Sequence, residues 1–228
     1  MTGGWSVSLS CRLVVFLCGL ILVMPCAGVH AAQSREPLES DSPLSPGTRW
    51  TYPGRVRWAK AGSAEVTERT VTWEMEVLDT IKRRHLLAAL LKGHPGDLAW
   101  YEESTRRADY LVLRVGTSRF YLMRDQQRDV VLNRLRDEGD ALVDLVKDAS
   151  LFLDLPLWPG KSFGDPDQLT RQDGLYQQHR FSLRTLPDHQ SVDFVPGIGI
   201  TCYIYAHHGT VSEADVQLVA FRPGRRSP

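Results

Sequence analysis

Aromatic side chains crowd the first half of the chain, where they would suit the binding of an apolar or sugar-like ligand. Indole rings offer a large apolar contact area with one polar N–H, so several of them on one concave face can line a pocket. The alternative is that the same rings fill the hydrophobic core. The sequence predicts Trp50, Trp73 and Trp100 as ligand-binding residues, from a group that comprises Trp50, Tyr52, Trp58, Trp73, Trp100 and Tyr101.

Histidine and cysteine could serve a metal ion or act in catalysis, but their spacing favours neither role. His207 and His208 are adjacent, and neighbouring residues on a strand face opposite ways. The sequence contains no His-Glu-x-x-His and no Cys-x-x-Cys, so we expect no metal site and no cofactor. Cys202 could be a nucleophile with His207 as its base. Its position between Ile200 and Ile204 favours a buried core thiol instead.

Paired carboxylates and glycine-rich turns are the other candidates for catalysis. Glu74 and Glu76 share one face of a predicted strand, as a two-carboxylate mechanism would require. That face also carries Thr72 and opposes an apolar face, so a solvated sheet surface explains the pair better. No Gly-x-Ser-x-Gly elbow occurs, and Gly197-Ile198-Gly199 is only half of a dinucleotide-binding motif. We therefore expect a non-catalytic protein, with a hydrolase of unrecognised motif as the alternative.

The first 31 residues have the three parts of a secretory signal peptide. Arg12 precedes an apolar run from Leu13 to Met24, and Val29-His30-Ala31 has the small-x-small pattern of a cleavage site. The run is short for a bilayer, which needs about 20 apolar residues, so we expect cleavage and no transmembrane segment in the mature chain. An uncleaved anchor and lipid attachment at Cys26 are the alternatives. The sequence predicts an exported protein, periplasmic or extracellular.

The charge and cysteine content of the mature chain limit its partners. Loss of Arg12 leaves 26 basic and 27 acidic side chains, so no net charge attracts nucleic acid or an anionic membrane surface. Three of the four cysteines lie in the signal, so the mature fold has no internal disulfide and depends on its apolar core. The partner that we expect is a lipid or another envelope component.

The rest of the chain divides into a linker, a domain and a tail. Residues 32–45 are polar and contain proline, which predicts a flexible linker. Residues 46–222 are predicted to form a single β-rich domain, and residues 223–228 a disordered tail.

Alternation of apolar and polar residues predicts that this domain is an antiparallel sheet. Over residues 66–78, Val71, Trp73, Met75 and Val77 alternate with polar residues, which places them on the core face. A hairpin is predicted around Gly116. Further strands are predicted at residues 49–58, 84–91, 97–102, 110–115, 119–123, 176–185, 191–195, 200–205 and 211–221.

One helix is predicted near residues 140–149, because Leu142, Leu145, Val146 and Ala149 recur at helical spacing. Many strands and one helix predict a mainly β fold. The architecture would be either an antiparallel sandwich or a curved half-barrel sheet with the helix in its mouth.

Three short motifs resemble those of a loose group of exported bacterial β-rich proteins, often lipoproteins, of unassigned activity. The motifs are Pro46-Gly47-Thr48-Arg49-Trp50-Thr51-Tyr52, Leu155-Pro156-Leu157-Trp158-Pro159-Gly160 and Phe194-Val195-Pro196-Gly197-Ile198-Gly199-Ile200. The resemblance spans residues 44–221 and implies a β fold in the envelope, with no catalytic residues to carry over. A "V-P-A-G-x-F" segment found in that group has no counterpart between Gly174 and Ser191, which puts closure of a barrel in doubt.

Overall fold

The computed structural model describes residues 43–60, 65–147, 149–158, 160–164, 170–172, 181–185, 189–207 and 209–224. All of them belong to one compact unit. The predicted signal peptide, residues 32–42 of the predicted linker and residues 225–228 of the predicted tail lie outside the described residues.

The described chain folds into thirteen strands, one α-helix and one short 3₁₀ helix. The first six strands are β1 (Arg49–Ala59), β2 (Val66–Arg83), β3 (Leu86–Lys92), β4 (Asp109–Val115), β5 (Arg119–Arg124) and β6 (Ser150–Asp154). The other seven are β7 (Ser162–Phe163), β8 (Thr170–Gln172), β9 (Phe181–Thr185), β10 (His189–Val195), β11 (Gly199–Ala206), β12 (Ser212–Gln217) and β13 (Ala220–Arg222). The 3₁₀ helix covers Pro95–Leu98, and the α-helix α1 covers Asp125–Arg136.

All strands of the described chain join one antiparallel sheet that curls into a half-barrel, one of the two predicted architectures. The predicted place of the helix in the mouth of the half-barrel is wrong, because α1 packs on the opposite face of β3, β4 and β5. Its order is β6-β5-β4-β3-β2-β1-β12-β11-β10-β9-β8-β7, and β13 pairs separately with β1. The chain runs outward from β1 to β6 and then returns from β7 to β12, which closes against β1. Strand β1 is therefore the centre of the sheet, with one arm on each side of it.

The two faces of the sheet carry two separate apolar clusters. The concave cluster contains the alternate residues of β1 and β2, including Trp50, Tyr52, Trp73 and Met75. The predicted core face of residues 66–78 is thus confirmed, with Thr72 and Glu74 exposed on the other side. A second cluster lies on the opposite face of β3, β4 and β5, where α1 covers it. Because α1 packs on the opposite face, it does not cover the concave face of the sheet.

The single helix is confirmed, but its predicted position near residues 140–149 is wrong. The helix lies at Asp125–Arg136, and residues 143–147 form turns. The Asp140 carboxylate accepts the backbone N–H of Leu142 at 2.6 Å, and this local bond competes with helix formation. Leu142 and Asp144 also have positive φ angles, which interrupt a helix. The apolar spacing of residues 142–149 still marks a packed face, because Leu145 is buried against α1.

Two further local predictions have different outcomes. The predicted strand at residues 97–102 is wrong: Pro95–Leu98 form the 3₁₀ helix, which Pro95 begins, and a turn follows. The predicted burial of Cys202 is confirmed, since its side chain is 5% exposed and forms no disulfide in the described part of the chain. Among the described residues, none of the helices is long and apolar enough to cross a membrane.

Candidate functional site

An apolar cavity of about 100 Å³ lies on the concave face of the half-barrel. Side chains from both arms of the sheet form its walls, so the curl of the sheet creates it. Its described lining contains no carboxylate, serine, cysteine, lysine or tyrosine. The lining residues are Pro43, Leu44, Trp50, Met75, Leu91, His94, Val112, Arg114, Thr117, Phe120, Leu122, Phe152, Leu153, Leu155, Phe194, Pro196, Gly197, Gly199 and Ile200.

The three motifs of the resemblance meet at this apolar cavity, although they lie far apart in the sequence. The indole N–H of Trp50 donates to the carbonyl oxygen of Ile198 at 2.6 Å, which links the first motif to the last. Gly199 faces the same ring: a Cβ there would lie 3.6 Å from Trp50 Nε1, and its φ of +101° favours glycine. Leu155, from the middle motif, also lines the cavity. The motifs are therefore parts of one concave site as well as turns.

A more polar cavity of about 500 Å³ adjoins the apolar cavity. The two share His94, Leu122 and Phe152 in their linings, so these side chains separate the apolar from the polar space. The polar side chains that line the larger space include Arg124, Gln127, Ser150 and Gln190, so this space suits a hydrated group.

The side chains of Asp97, Tyr110 and Arg124 form a hydrogen-bonded group beside this polar cavity. The Tyr110 hydroxyl donates to the Asp97 carboxylate at 2.6 Å, and the backbone N–H of Ala108 donates to the same carboxylate at 2.9 Å. Burial raises the pKa of Asp97, while these two hydrogen bonds act against that rise. A hydrogen bond with Tyr110 raises the pKa of Arg124, so the guanidinium stays charged at the cavity edge. The wall thus combines aromatic rings with a fixed positive charge.

His94 occupies the wall between the two cavities and is only 6% exposed. Its Nδ1 accepts the backbone N–H of Gly96 at 3.0 Å and so caps the 3₁₀ helix. Burial lowers the pKa of His94 to about 4, so the ring is neutral at pH 7 and carries its proton on Nε2. That Nε2 is buried and has no hydrogen-bond partner among the described residues. A buried donor in this state is uncommon in folded proteins.

The other tryptophans predicted as ligand-binding residues are not brought to the apolar cavity. Trp73 is buried, and its N–H donates to the carbonyl oxygen of Gly93 at 2.9 Å. Trp100 is 53% exposed and packs on His207, with ring centroids 4.3 Å apart. It borders a different, open concavity with Trp58 and Tyr101. Of the three predicted residues, Trp50 alone lines the apolar cavity.

The predicted carboxylate pair lies on the outer surface of the sheet. Glu74 and Glu76 do not converge on a cavity wall; they form ion pairs with Arg107 and Arg49 at 3.6 and 2.7 Å. The described residues contain no group of three His, Cys, Asp or Glu side chains that could hold a metal ion. His208, the partner of His207 in the predicted pair, lies outside the described residues.

Sequence reasoning missed His94, one of the polar residues that line the apolar cavity. Its local signal is the sequence Gly93-His94-Pro95-Gly96, directly after the apolar strand that ends at Lys92. A histidine between glycine and proline after a buried strand suggests a capping role. Nothing in the sequence brings that turn against Phe152, whose ring centroid lies 5.8 Å from that of His94.

These features define the chain as a curled antiparallel half-barrel with an apolar cavity on its concave face. No family model and no curated protein sequence matches the chain. Among solved structures, it is similar to a predicted exported protein with a YmcC-like fold from Bacteroides fragilis. The match has a TM-score of 0.40 and 9% sequence identity, and covers 79% of this chain and 98% of the other. This weak likeness carries no conclusion about activity.

Proposed function

We propose that the protein is an exported, non-catalytic envelope protein that binds an apolar ligand in the apolar cavity. The observation that carries this proposal is the composition of the wall, which is apolar throughout except for His94, Arg114 and Thr117. Burial of apolar surface is the main source of binding free energy in such a site. A hydrolase with a serine or cysteine nucleophile, or with paired carboxylates, would need those groups at the same place, and the described lining contains no carboxylate, serine or cysteine.

The size of the apolar cavity limits what it holds. A volume of about 100 Å³ accommodates a small apolar group or a short length of hydrocarbon chain rather than a whole lipid. The adjoining polar cavity, about 500 Å³ in volume, can hold a polar group attached to that chain. The ligand class that fits both spaces is an amphiphile with an alkyl or acyl chain.

We expect the purified mature protein to bind 1-O-octylglycerol, a simple alkyl amphiphile, with a change in tryptophan fluorescence. Trp50 lines the apolar cavity, so a chain that enters it changes the surroundings of that indole. Native mass spectrometry should show one bound molecule per chain. A protein that stays empty at concentrations below the aggregation limit of the amphiphile would contradict the binding proposal.

Two variants locate the bound chain. Leu122→Trp places a larger side chain in the wall that the two cavities share, so it should weaken binding. Trp100→Phe changes an exposed ring outside both cavities and should leave binding intact. Equal loss in both variants, or in neither, would place the amphiphile elsewhere. Hydrolysis of a model ester by the wild-type protein would instead favour the hydrolase alternative.

The predicted signal peptide leads to a separate prediction about the N terminus. We expect the protein recovered from the exported fraction to begin at Ala32, because residues 1–31 have the charge, apolar run and cleavage pattern of a signal peptide. N-terminal sequencing with intact mass measurement tests this. Retention of Met1, or the mass of a lipid on Cys26, would contradict cleavage at this position.

A further inference from the structure

We propose that His94 recognises the ligand of this site: its Nε2–H donates a hydrogen bond to a carbonyl oxygen of an acylated amphiphile. The acyl chain occupies the apolar cavity, and the polar group that it is attached to lies in the adjoining polar cavity. This inference rests on the proposed function, and it adds the chemical class of the ligand, an ester or amide of an acyl chain.

The hydrogen bonds of His94 leave one specific atom to be satisfied. Nδ1 is occupied by the backbone N–H of Gly96, so the neutral ring presents Nε2–H as its remaining polar group. That atom is buried and has no partner among the described residues. Leaving a buried donor unsatisfied is costly, and a ligand acceptor at this point removes the cost. The missing partner is therefore a hydrogen-bond acceptor.

The surroundings of His94 favour an uncharged acceptor. The imidazole lies near the rings of Tyr110 and Phe152, with centroids 5.3 and 5.8 Å away. On the side of the polar cavity, the charged groups near His94 are Asp97 and Arg124, which are already linked through Tyr110. Arg114 lies in the lining of the apolar cavity. A neutral ring among aromatic side chains pairs with a neutral carbonyl at lower desolvation cost than with a carboxylate. An acyl ester places such a carbonyl at the point where its chain meets its polar group.

The position of His94 matches this chemistry. The side chain belongs to the linings of both cavities, so a molecule that extends from one into the other passes its ring. Arg124, Gln127 and Ser150 then lie on the side of the polar group. A carbonyl at the junction would be recognised directly, whereas a plain hydrocarbon would leave Nε2–H unsatisfied.

A matched pair of amphiphiles tests the inference. 1-Monooctanoylglycerol and 1-O-octylglycerol differ in the carbonyl group, which the ether lacks. We expect the wild-type protein to bind the ester about tenfold more tightly, the effect of satisfying one buried donor. In ¹⁵N-labelled protein, the Nε2–H resonance of His94 should move on addition of the ester and much less on addition of the ether.

Two substitutions test the roles of the two imidazole nitrogens separately. His94→Asn keeps an acceptor near the position of Nδ1 for Gly96 but has no donor at the position of Nε2, so the preference for the ester should disappear. His94→Gln presents an amide N–H near the position of Nε2 and should restore part of it. If the wild-type protein binds both amphiphiles equally, the role of His94 is wrong while binding in the apolar cavity stands. If it binds neither, both proposals fail. The resonance test on the wild-type protein decides the matter even where a variant does not fold.

Discussion

Gly54→Val lowers the free energy of unfolding by about 3 kcal/mol or more, because it forces apart the central strands of the sheet. Gly54 lies in β1 and pairs with Val71 on one side and Val216 on the other. A Cβ at this position would stand 2.0 Å from the carbonyl oxygen of Asp215 and 2.6 Å from the Cα of Val216. Both are backbone atoms, so no rotation of a side chain relieves the clash. Glycine in a strand interior often marks such a close backbone approach.

Urea denaturation followed by far-ultraviolet circular dichroism measures this effect. Gly139→Ala is the matched control, since a Cβ there would meet only the Asp137 carboxylate, at 3.3 Å, on an exposed turn. We expect the control to stay within about 1 kcal/mol of the wild-type protein. A Gly54→Val protein with a wild-type denaturation midpoint would show that β1 and β12 are not packed as described.

We expect acidification from pH 6.5 to pH 4 to remove about 3 kcal/mol of stability through His94 alone. Burial lowers the pKa of His94 from its usual 6.5 to about 4, so in this window the unfolded chain binds a proton that the folded protein excludes. The contribution of His94 is therefore fully present above pH 6.5, declines as the pH falls, and is gone below about pH 4. Asp97, whose pKa burial raises, acts in the opposite direction.

The comparison of wild-type and His94→Asn proteins isolates this contribution, because Asp97 is common to both. The free energy of unfolding, measured at intervals between pH 4 and pH 7, should fall less steeply in the variant. His85→Asn, at an exposed histidine, serves as the control for the removal of a histidine. Parallel curves for wild-type and His94→Asn proteins would mean that His94 takes up its proton in the folded state as readily as in the unfolded state.

A bound ligand should alter this acid sensitivity. Any ligand that binds only the folded state adds to its stability. Stability and binding are thus linked through one side chain, which caps a 3₁₀ helix with one nitrogen and faces the junction of two cavities with the other.

The sequence alone determined the elements whose signals are local. Period-two alternation over residues 66–78 predicts the buried face of β2, because neighbouring residues on a strand point to opposite sides. The glycine at position 116 predicts the hairpin between β4 and β5, where the chain turns with a φ of +62°. Composition and strand number also predict a mainly β fold with a single helix.

The position of the helix depended on tertiary packing. Residues 125–136 are rich in charge and form a helix because Val131, Leu132 and Leu135 pack on the outer face of the sheet. Residues 142–149 have the stronger helical spacing, yet the side chain of Asp140 bonds to the local backbone and turns the chain. Helical spacing indicates that a set of residues is buried on one side of a segment. Turns that pack on the same surface can bury the same residues, so the spacing does not require a helix.

The candidate site was decided by the tertiary structure alone. Trp50 and Ile198 are joined by a hydrogen bond although they lie 148 positions apart in the sequence. His94 lines both cavities only because the sheet curls. Nearness in sequence groups the three tryptophans, but neither Trp73 nor Trp100 lines the apolar cavity. Trp73 donates its N–H to Gly93, and Trp100 lies in a turn and packs on His207. Residue type indicates what a side chain can do, whereas sheet order and curvature decide which side chains share a cavity.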